Sequence, residues 1–281
     1  MAVESPPTVA ALADGGVAEN AGVWLSWRAY GEGEPVLMIM GYMGSSKAWF
    51  RLLPHVSREH RAIVFDNRGT GDSDRPPGLW SMDDLARDAL AVLDAAGHDS
   101  AHVLGVSMGG MVAQHLALDH PERVRTLTLC CTQPGGRGGA PPWRMLASIV
   151  LRPLLGPGAT FPIVAPLLYS ERTRRDRRDR LREDLEMRWQ ERTPAASALS
   201  QSAAIARHDT RARLAELSMP VLVLHGTEDA LIPASAAREL ASLIPRARLV
   251  LVPGAGHVIA TDAEDETASA LLDFLASHAE S

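Results

Sequence analysis

Short apolar runs alternate along the chain with segments that carry apolar residues at helical spacing. Runs that are continuous in Val, Ile, Leu and Met predict strands covered on both faces of a sheet. The strand candidates lie at 23–30, 36–40, 62–65, 101–106, 124–131, 221–225 and 249–252, and several of them are such continuous runs. Helical spacing predicts helices at 82–96, 108–119, 233–243 and 264–277. This alternation predicts an α/β fold with a mostly parallel, doubly wound sheet.

The alternation breaks between residues 133 and 213. This stretch opens with glycine- and proline-rich sequence and continues as helical pieces at 143–151, 161–169, 172–190 and 195–206, without a convincing strand. We therefore expect an all-helical cap over 133–213, inserted between two parts of one α/β core at 1–132 and 214–281. We expect the first twenty residues, which are polar and punctuated by Gly and Pro, to be frayed.

Composition and charge narrow the class of partner. The 281 residues suffice for one large α/β domain with an insertion. The net charge of −6 argues against nucleic acid or an anionic membrane as the main partner. No apolar run approaches the roughly 18 residues of a membrane span. We expect a small-molecule substrate and no membrane span, and the sequence does not indicate an oligomeric state.

Three local features complete the general picture. Residues 1–7 lack the basic start and apolar stretch of a secretory signal. The two cysteines are adjacent, at 130 and 131, and neighbouring cysteines rarely bridge, so we expect no disulfide and a reducing, cytoplasmic location. The stretch 172–188 holds eight arginines and five acids, and we interpret it as a solvated helix face with ion pairs rather than a nucleic-acid site.

A candidate nucleophile lies at the end of the predicted strand 101–106. Ser107 is the centre of GVSMG at 105–109, and G-x-S-x-G between a strand and a helix is typical of a nucleophile elbow. The turn is so tight that only very small residues fit two positions before and after the serine. The pattern alone also fits an ordinary strand-to-helix turn, so residues elsewhere in the chain must decide.

A nucleophilic serine needs a base, and the base needs an orienting acid. His257 directly follows the predicted strand 249–252, and Asp229 directly follows the strand 221–225. Each residue alone could be structural, but together they complete the order Ser, Asp, His on strand ends at one edge of the sheet. Glu228 is the rival for the acid, and we interpret His225 as a structural neighbour of the acid.

The negative charge that develops during attack needs two backbone N–H donors. The elbow supplies one of them, the N–H of Met108. The second should come from the loop after the strand 36–40, where Gly41 permits the turn and Tyr42 is the predicted donor. The alternative, that this is simply a glycine-rich loop, does not explain why the loop follows this particular strand.

With these residues, the chain resembles the α/β-hydrolase superfamily over nearly its whole length after residue 20. The resemblance rests on GVSMGGMVA at 105–113, DNRGTGDS at 66–73, Asp229 and GH at 256–257. It is most similar to small capped esterases, enol-lactonases, C–C bond hydrolases and cofactor-free haloperoxidases. In that branch the oxyanion loop usually begins His-Gly, whereas this chain has Met40 before the glycine. The backbone donor is unaffected, but the local hydrogen bonding must differ.

The resemblance implies a serine hydrolase that needs neither a cofactor nor a metal and holds its substrate under the cap. Ordinary packing explains each apolar cap residue equally well, but together they suggest a mainly apolar site for a small or medium ester, lactone or thioester. The predicted pocket residues are Gly41, Met43, Trp143, Met145, Leu146, Phe161, Leu167, Leu168 and Trp189.

Three alternatives stay open at the level of sequence. A C–C bond hydrolase would use the same three residues, and a haloperoxidase or perhydrolase activity could accompany the same site. The third alternative, of a different class, is a ligand receptor or a pathway cyclase with the same fold. Nothing in the sequence favours that third alternative, because every catalytic position is filled.

Overall fold

The computed structural model describes residues 10–135, 143–188 and 193–279. The strands are Leu12–Asn20 (β1), Val23–Tyr30 (β2), Pro35–Ile39 (β3), Arg61–Phe65 (β4), Ala101–Val106 (β5), Val124–Cys130 (β6), Val221–Gly226 (β7) and Arg248–Val252 (β8). They form one sheet in the order β1-β2-β4-β3-β5-β6-β7-β8. The strands from β4 to β8 along this order pair in parallel, and β1 and β2 are antiparallel. The predicted α/β fold with a mostly parallel sheet is confirmed.

Helices lie between these strands and after the last of them. They are Leu53–Val56 (α1), Met82–Ala95 (α2), Met108–Asp119 (α3), Trp143–Leu168 (α4), Glu171–Asp176 (α5), Arg178–Arg188 (α6), Ala195–Arg207 (α7), Ala234–Leu243 (α8), Ile259–Asp262 (α9) and Glu264–Ala276 (α10). Helices α2, α3 and α8 pack on one face, and α1, α9 and α10 pack on the other. Within the described ranges, no helix has both the length and the apolar character that a membrane span requires.

The continuous apolar run of β3 follows from this double cover. Val36 and Met38 belong to the core on one face of the sheet, while Leu37 and Ile39 belong to the core on the other. Successive side chains of a strand point to opposite faces, so a strand covered twice needs an apolar residue at every position. All four side chains are fully buried.

The expectation of a frayed N-terminus is wrong for residues 12–20, which form β1. This strand pairs with β2 over eight residue pairs, from Leu12 with Tyr30 to Asn20 with Val23. Its side chains are mostly exposed, and Ala18 is its one buried residue. The strand is therefore held mainly by backbone hydrogen bonds, which leave no alternating apolar pattern in the sequence.

Between β6 and β7 the described residues form helices α4 to α7 joined by turns, with no strand beyond an isolated bridge between Gly135 and Asp209. Helix α4 is interrupted at Gly156, whose φ of 79° lies outside the helical range. The single helix expected at 172–190 is instead divided into α5 and α6, because Arg177 between them has φ −125° and ψ 54°. We continue to treat 133–213 as a proposed cap, and its helices are called the cap below.

One cap carboxylate departs from the predicted solvated face. Exposed pairs such as Arg175 with Asp176 fit the prediction, but Asp184 is fully buried. It accepts hydrogen bonds from the Tyr169 hydroxyl at 2.8 Å and the Thr261 hydroxyl at 2.7 Å, and from Arg51 Nε at 3.2 Å. Because Arg51 and Thr261 belong to the core, this buried carboxylate fastens the cap to the core.

A second buried carboxylate joins β1 to α2. Asp88 is fully buried and accepts hydrogen bonds from Arg68 Nε at 2.5 Å and Nη2 at 2.6 Å, and from Asn20 Nδ2 at 2.7 Å. Removal of a buried carboxylate leaves the guanidinium charge without compensation. The Arg68–Asp88 pair is therefore expected to matter far more to stability than any exposed ion pair.

We predict that Asp88→Ala lowers the free energy of unfolding by about 3–5 kcal/mol, measured by urea denaturation followed by tryptophan fluorescence. Asp94→Ala is the matched control on the same helix. Asp94 pairs with Arg123 but is largely exposed, so its loss should cost less than about 1 kcal/mol. Equal losses in the two variants would contradict the prediction.

Candidate active site

Ser107 lies in the turn between β5 and α3 with φ 56° and ψ −121°, a strained conformation for a residue other than glycine. The surrounding backbone explains the two flanking glycines. A Cβ atom at Gly105 would lie 2.3 Å from the Gly109 carbonyl oxygen, and one at Gly109 would lie 2.0 Å from the Ile39 carbonyl oxygen. No larger residue fits at either position, so the turn can form only with glycine there.

Three predicted residues from three strand ends meet in one hydrogen-bonded chain. The Ser107 Oγ lies 3.0 Å from His257 Nε2, and His257 Nδ1 lies 2.7 Å from Asp229 Oδ2. An ionised carboxylate can only accept, so Nδ1 carries the proton and Nε2 is left to accept from the serine hydroxyl. Glu228, the rival acid, is exposed and takes no part in this chain.

Asp229 is held from several sides by donors. Its Oδ1 accepts from the backbone N–H groups of Leu231 at 2.9 Å and Ile232 at 2.8 Å, and its side chain is inaccessible to solvent. Burial by itself raises the pKa of Asp229, but the electrostatic interaction with His257 and the hydrogen bonds from both neighbouring histidines outweigh burial. The pKa of Asp229 is therefore held below the usual range for an aspartate, and the group stays ionised.

His225 is the second histidine on this carboxylate, as the predicted structural neighbour. Its Nε2 donates to the Ile232 carbonyl at 2.8 Å and lies 3.2 Å from Asp229 Oδ2. Burial by itself lowers the pKa of His225, but the contact with Asp229 and the hydrogen bond to the Ile232 carbonyl raise it to about 8. The folded protein therefore binds this proton more tightly than the unfolded chain does.

The predicted oxyanion donors flank Ser107. A Cβ atom at Gly41 would lie 3.0 Å from Ser107 Cβ, so the loop after β3 lies against the serine. Neither the Tyr42 N–H nor the Met108 N–H is engaged by a protein acceptor among the described residues.

Met40 stands where the similar branch usually has a histidine. Its carbonyl accepts a hydrogen bond of 2.9 Å from Asn67 Nδ2. Asp66, the neighbour of Asn67, accepts a hydrogen bond of 2.7 Å from the Ser46 N–H. Ser46 lies just beyond the loop that follows β3. The DNRGTGDS segment at 66–73 therefore braces the oxyanion loop from the core side, a supporting role that the sequence did not reveal.

A cavity of about 160 Å³ lies beside Ser107 and His257 and is bounded by residues of both the core and the cap. Its lining is mainly apolar and includes four of the predicted pocket residues, Gly41, Met43, Met145 and Leu168.

Three predicted pocket residues lie elsewhere, and one of them, Leu167, packs against the apolar cluster inside the cap. Trp143 is 68% exposed at the start of α4, and Phe161 packs against Tyr169 inside the cap, with ring centroids 5.8 Å apart. Hydrophobicity identifies such residues as candidates for burial, but it does not say which face of a cap helix points to the cavity. Trp189 and the side chain of Leu146 lie outside the described residues.

Several lining residues were not predicted from sequence. Trp49 and Leu52 come from the short helical turns after β3. Their signal was present, because apolar residues at 49, 52, 53 and 56 follow helical spacing. Arg152 and Arg188 of the cap also line the cavity, so its wall carries positive charge.

Cys131, His225 and Asp229 are close enough to share a metal ion, but their chemistry favours a hydrogen-bonded cluster. The contact with Cys130 and complete burial raise the pKa of the Cys131 thiol well above its usual value, so the thiol keeps its proton. A protonated thiol is a poor metal ligand. Both cysteines are free, in agreement with the prediction of no disulfide.

Comparison with known proteins places this geometry in a family. Residues 34–263 match the sequence model of the alpha/beta hydrolase fold. A protein from Azorhizobium caulinodans assigned the name carbamate hydrolase RutD is 32% identical over 252 residues, which cover 89% of this chain and 94% of that protein.

Solved structures agree with the sequence match. A thermophilic esterase from Thermogutta terrifontis superposes with a TM-score of 0.83 at 26% identity, over 95% of this chain and 100% of that one. The enol-lactonase from Burkholderia xenovorans LB400 superposes with a TM-score of 0.83 at 25% identity, over 93% and 100% of the two chains.

The raised pKa of His225 predicts a pH-dependent stability. A histidine pKa raised from 6.5 to about 8 on folding adds stability that is fully present below pH 6.5 and is lost as the pH rises through 8. The contribution is about 2 kcal/mol, and it should be absent from His225→Gln. Urea unfolding at pH 6 and pH 9 tests this, with His120→Gln at a partly exposed histidine as the control. An unchanged pH dependence in His225→Gln would refute the assignment.

Proposed function

The chain belongs to the alpha/beta hydrolase fold family, and on that premise we propose that it is a serine hydrolase. Its substrate would be a small-to-medium carboxylic ester, lactone or thioester, cleaved through an acyl-serine intermediate. The observation that carries this proposal is the hydrogen-bonded chain from Ser107 through His257 to the buried Asp229. Ser107 and His257 line a mainly apolar cavity at the carboxyl edge of the sheet.

In the proposed first half-reaction, His257 Nε2 removes the proton of Ser107 while the oxygen attacks the substrate carbonyl. Asp229 stabilises the resulting imidazolium, and its low pKa keeps the required negative charge in place. The N–H groups of Tyr42 and Met108 stabilise the oxyanion. His257 then donates its proton to the leaving group, which departs and leaves the acyl-serine.

The second half-reaction reverses these roles with water. His257 takes a proton from a water molecule, the hydroxide attacks the acyl carbonyl, and the proton returns to Ser107 as the carboxylic acid leaves. The mainly apolar lining supports an apolar acyl group, and the small volume supports one of modest length. The esterase and enol-lactonase among the similar structures are consistent with this substrate class.

Carbamate cleavage is a second candidate. It is favoured by the name given to the Azorhizobium caulinodans relative and to a 30% identical relative from Variovorax paradoxus. The same residues would form a carbamoyl-serine, and water would then release it. A substrate panel separates ester-type cleavage from carbamate cleavage, because the two kinds of substrate differ only in the group attached to the reacting carbonyl.

We predict that Ser107→Ala lowers kcat by at least about 10⁴-fold, because the nucleophile is removed. Turnover should be measured on p-nitrophenyl esters of increasing chain length, lactones, thioesters and carbamates. Circular dichroism should show an unchanged fold, and Ser242→Ala, at a distant serine on α8, should retain full activity.

Labelling by a fluorophosphonate should map to Ser107 and disappear in Ser107→Ala. Ester hydrolysis that survives in Ser107→Ala would overturn the proposed function. Labelling without turnover of any substrate in the panel would instead favour a C–C bond hydrolase or a ligand receptor.

A further inference from the structure

The oxyanion loop, residues 41–44, is hydrogen-bonded to the cap through its two central residues, Tyr42 and Met43. The Met43 N–H donates to Gln201 Oε1 at 2.9 Å, and the Thr193 hydroxyl donates to the Met43 carbonyl at 3.1 Å. The Tyr42 hydroxyl lies 2.9 Å from Ser202 Oγ. Gln201 and Ser202 belong to α7, and Thr193 lies just before that helix.

The loop needs this external support. Within residues 41–44 the backbone makes one internal hydrogen bond, from the Gly44 N–H to the Gly41 carbonyl at 3.2 Å. Met43 has φ +58°, a left-handed conformation that is unfavourable for a residue with a Cβ atom. Such a conformation persists only where the surroundings hold it. The contacts with Gln201 and Thr193 act on Met43 itself.

Gln201 carries the central contact. It is fully buried, and the Met43 N–H can only donate, so the amide oxygen rather than the nitrogen must face the loop. Its Nε2 has no hydrogen-bond partner among the described residues. A buried amide with an unpaired donor costs stability that an apolar side chain would not cost. The acceptor toward Met43 is therefore the feature that distinguishes glutamine from a hydrophobic residue here.

The Tyr42 hydroxyl adds a second tie. Besides Ser202 Oγ, it has the Ala198 carbonyl at 3.2 Å. Burial raises the pKa of Tyr42, so the hydroxyl keeps the proton that it donates to α7. One residue thus presents its backbone N–H beside Ser107 and its side chain to the cap.

We propose that Gln201 is a positioning residue for the oxyanion hole, through which docking of α7 sets the direction of the Tyr42 N–H. This inference rests on the proposed serine-hydrolase function. It means that the cap does more than enclose the substrate, because the catalytic donor is formed in full only when α7 is seated on the loop. A donor that acts on developing charge affects the transition state more than the bound substrate.

The test is Gln201→Met, which keeps the size of the side chain and removes the acceptor. We expect kcat to fall about tenfold to a hundredfold while KM changes by less than about threefold, because removal of a whole oxyanion donor costs more than its displacement. Tyr42→Phe, which removes the second tie and keeps the backbone N–H, should lower kcat by a smaller factor.

Ser200→Ala is the matched control on the same helix. Ser200 Oγ lies 2.5 Å from the Gly78 carbonyl of the core and 3.0 Å from the Ala196 carbonyl of its own helix, and its hydrogen bonds among the described residues include none to the oxyanion loop. Its loss breaks one cap–core hydrogen bond at a different place and should leave kcat unchanged. An equal fall of kcat in Ser200→Ala and Gln201→Met would overturn the inference, because general loosening of the cap would then explain both.

A second measurement does not depend on the substrate. Hydrogen exchange at the Met43 amide should accelerate in Gln201→Met and stay unchanged in Ser200→Ala, and the fluorophosphonate labelling rate of Ser107 should fall in parallel. Unchanged exchange and an unchanged labelling rate in a folded Gln201→Met protein would overturn the inference. If Gln201→Met does not fold, Tyr42→Phe decides by the same two readouts. Failure of the proposed function would appear separately, as hydrolysis that survives in Ser107→Ala.

Discussion

The close approach of α3 to β3 is the constraint on which the rest of the site depends. Helix α3 begins so near β3 that Gly109 has no room for a side chain against the Ile39 carbonyl. This contact brings the elbow, the end of β3 and the loop that follows it to one point. Ser107 adopts a strained backbone as a consequence, and its side chain lies against the loop after β3.

Charge in the site is organised around a single buried carboxylate. Asp229 is stabilised by two backbone N–H groups and two histidines, only one of which reaches Ser107. A carboxylate with so many donors stays ionised despite its burial, because each donor favours the charged form. His257 is thereby held in one tautomer, and His225, which does not line the cavity, contacts the same carboxylate.

The cap is joined to the core by polar contacts that serve different ends. The cluster around Asp184 fastens α6 to Arg51 and Thr261, at a distance from the elbow. Gln201 on α7 instead contacts the oxyanion loop directly. Both are buried polar side chains, and such groups are stable only when their partners are in place. These polar contacts therefore fix the position of the cap on the core more specifically than an apolar interface alone would.

The sequence by itself determined the strands of the parallel sheet, since a strand covered on both faces must be apolar at every position. It also predicted that Ser107, Asp229 and His257 lie at one edge of the sheet, because the carboxyl ends of parallel strands meet at the same edge. Only the tertiary structure decided three other features. These are the edge strand β1, the burial of Asp184 and the exposure of Trp143. It also decided the contact of Gln201 with Met43. Each depends on a partner distant in sequence, and no local pattern of hydrophobicity records such a partner.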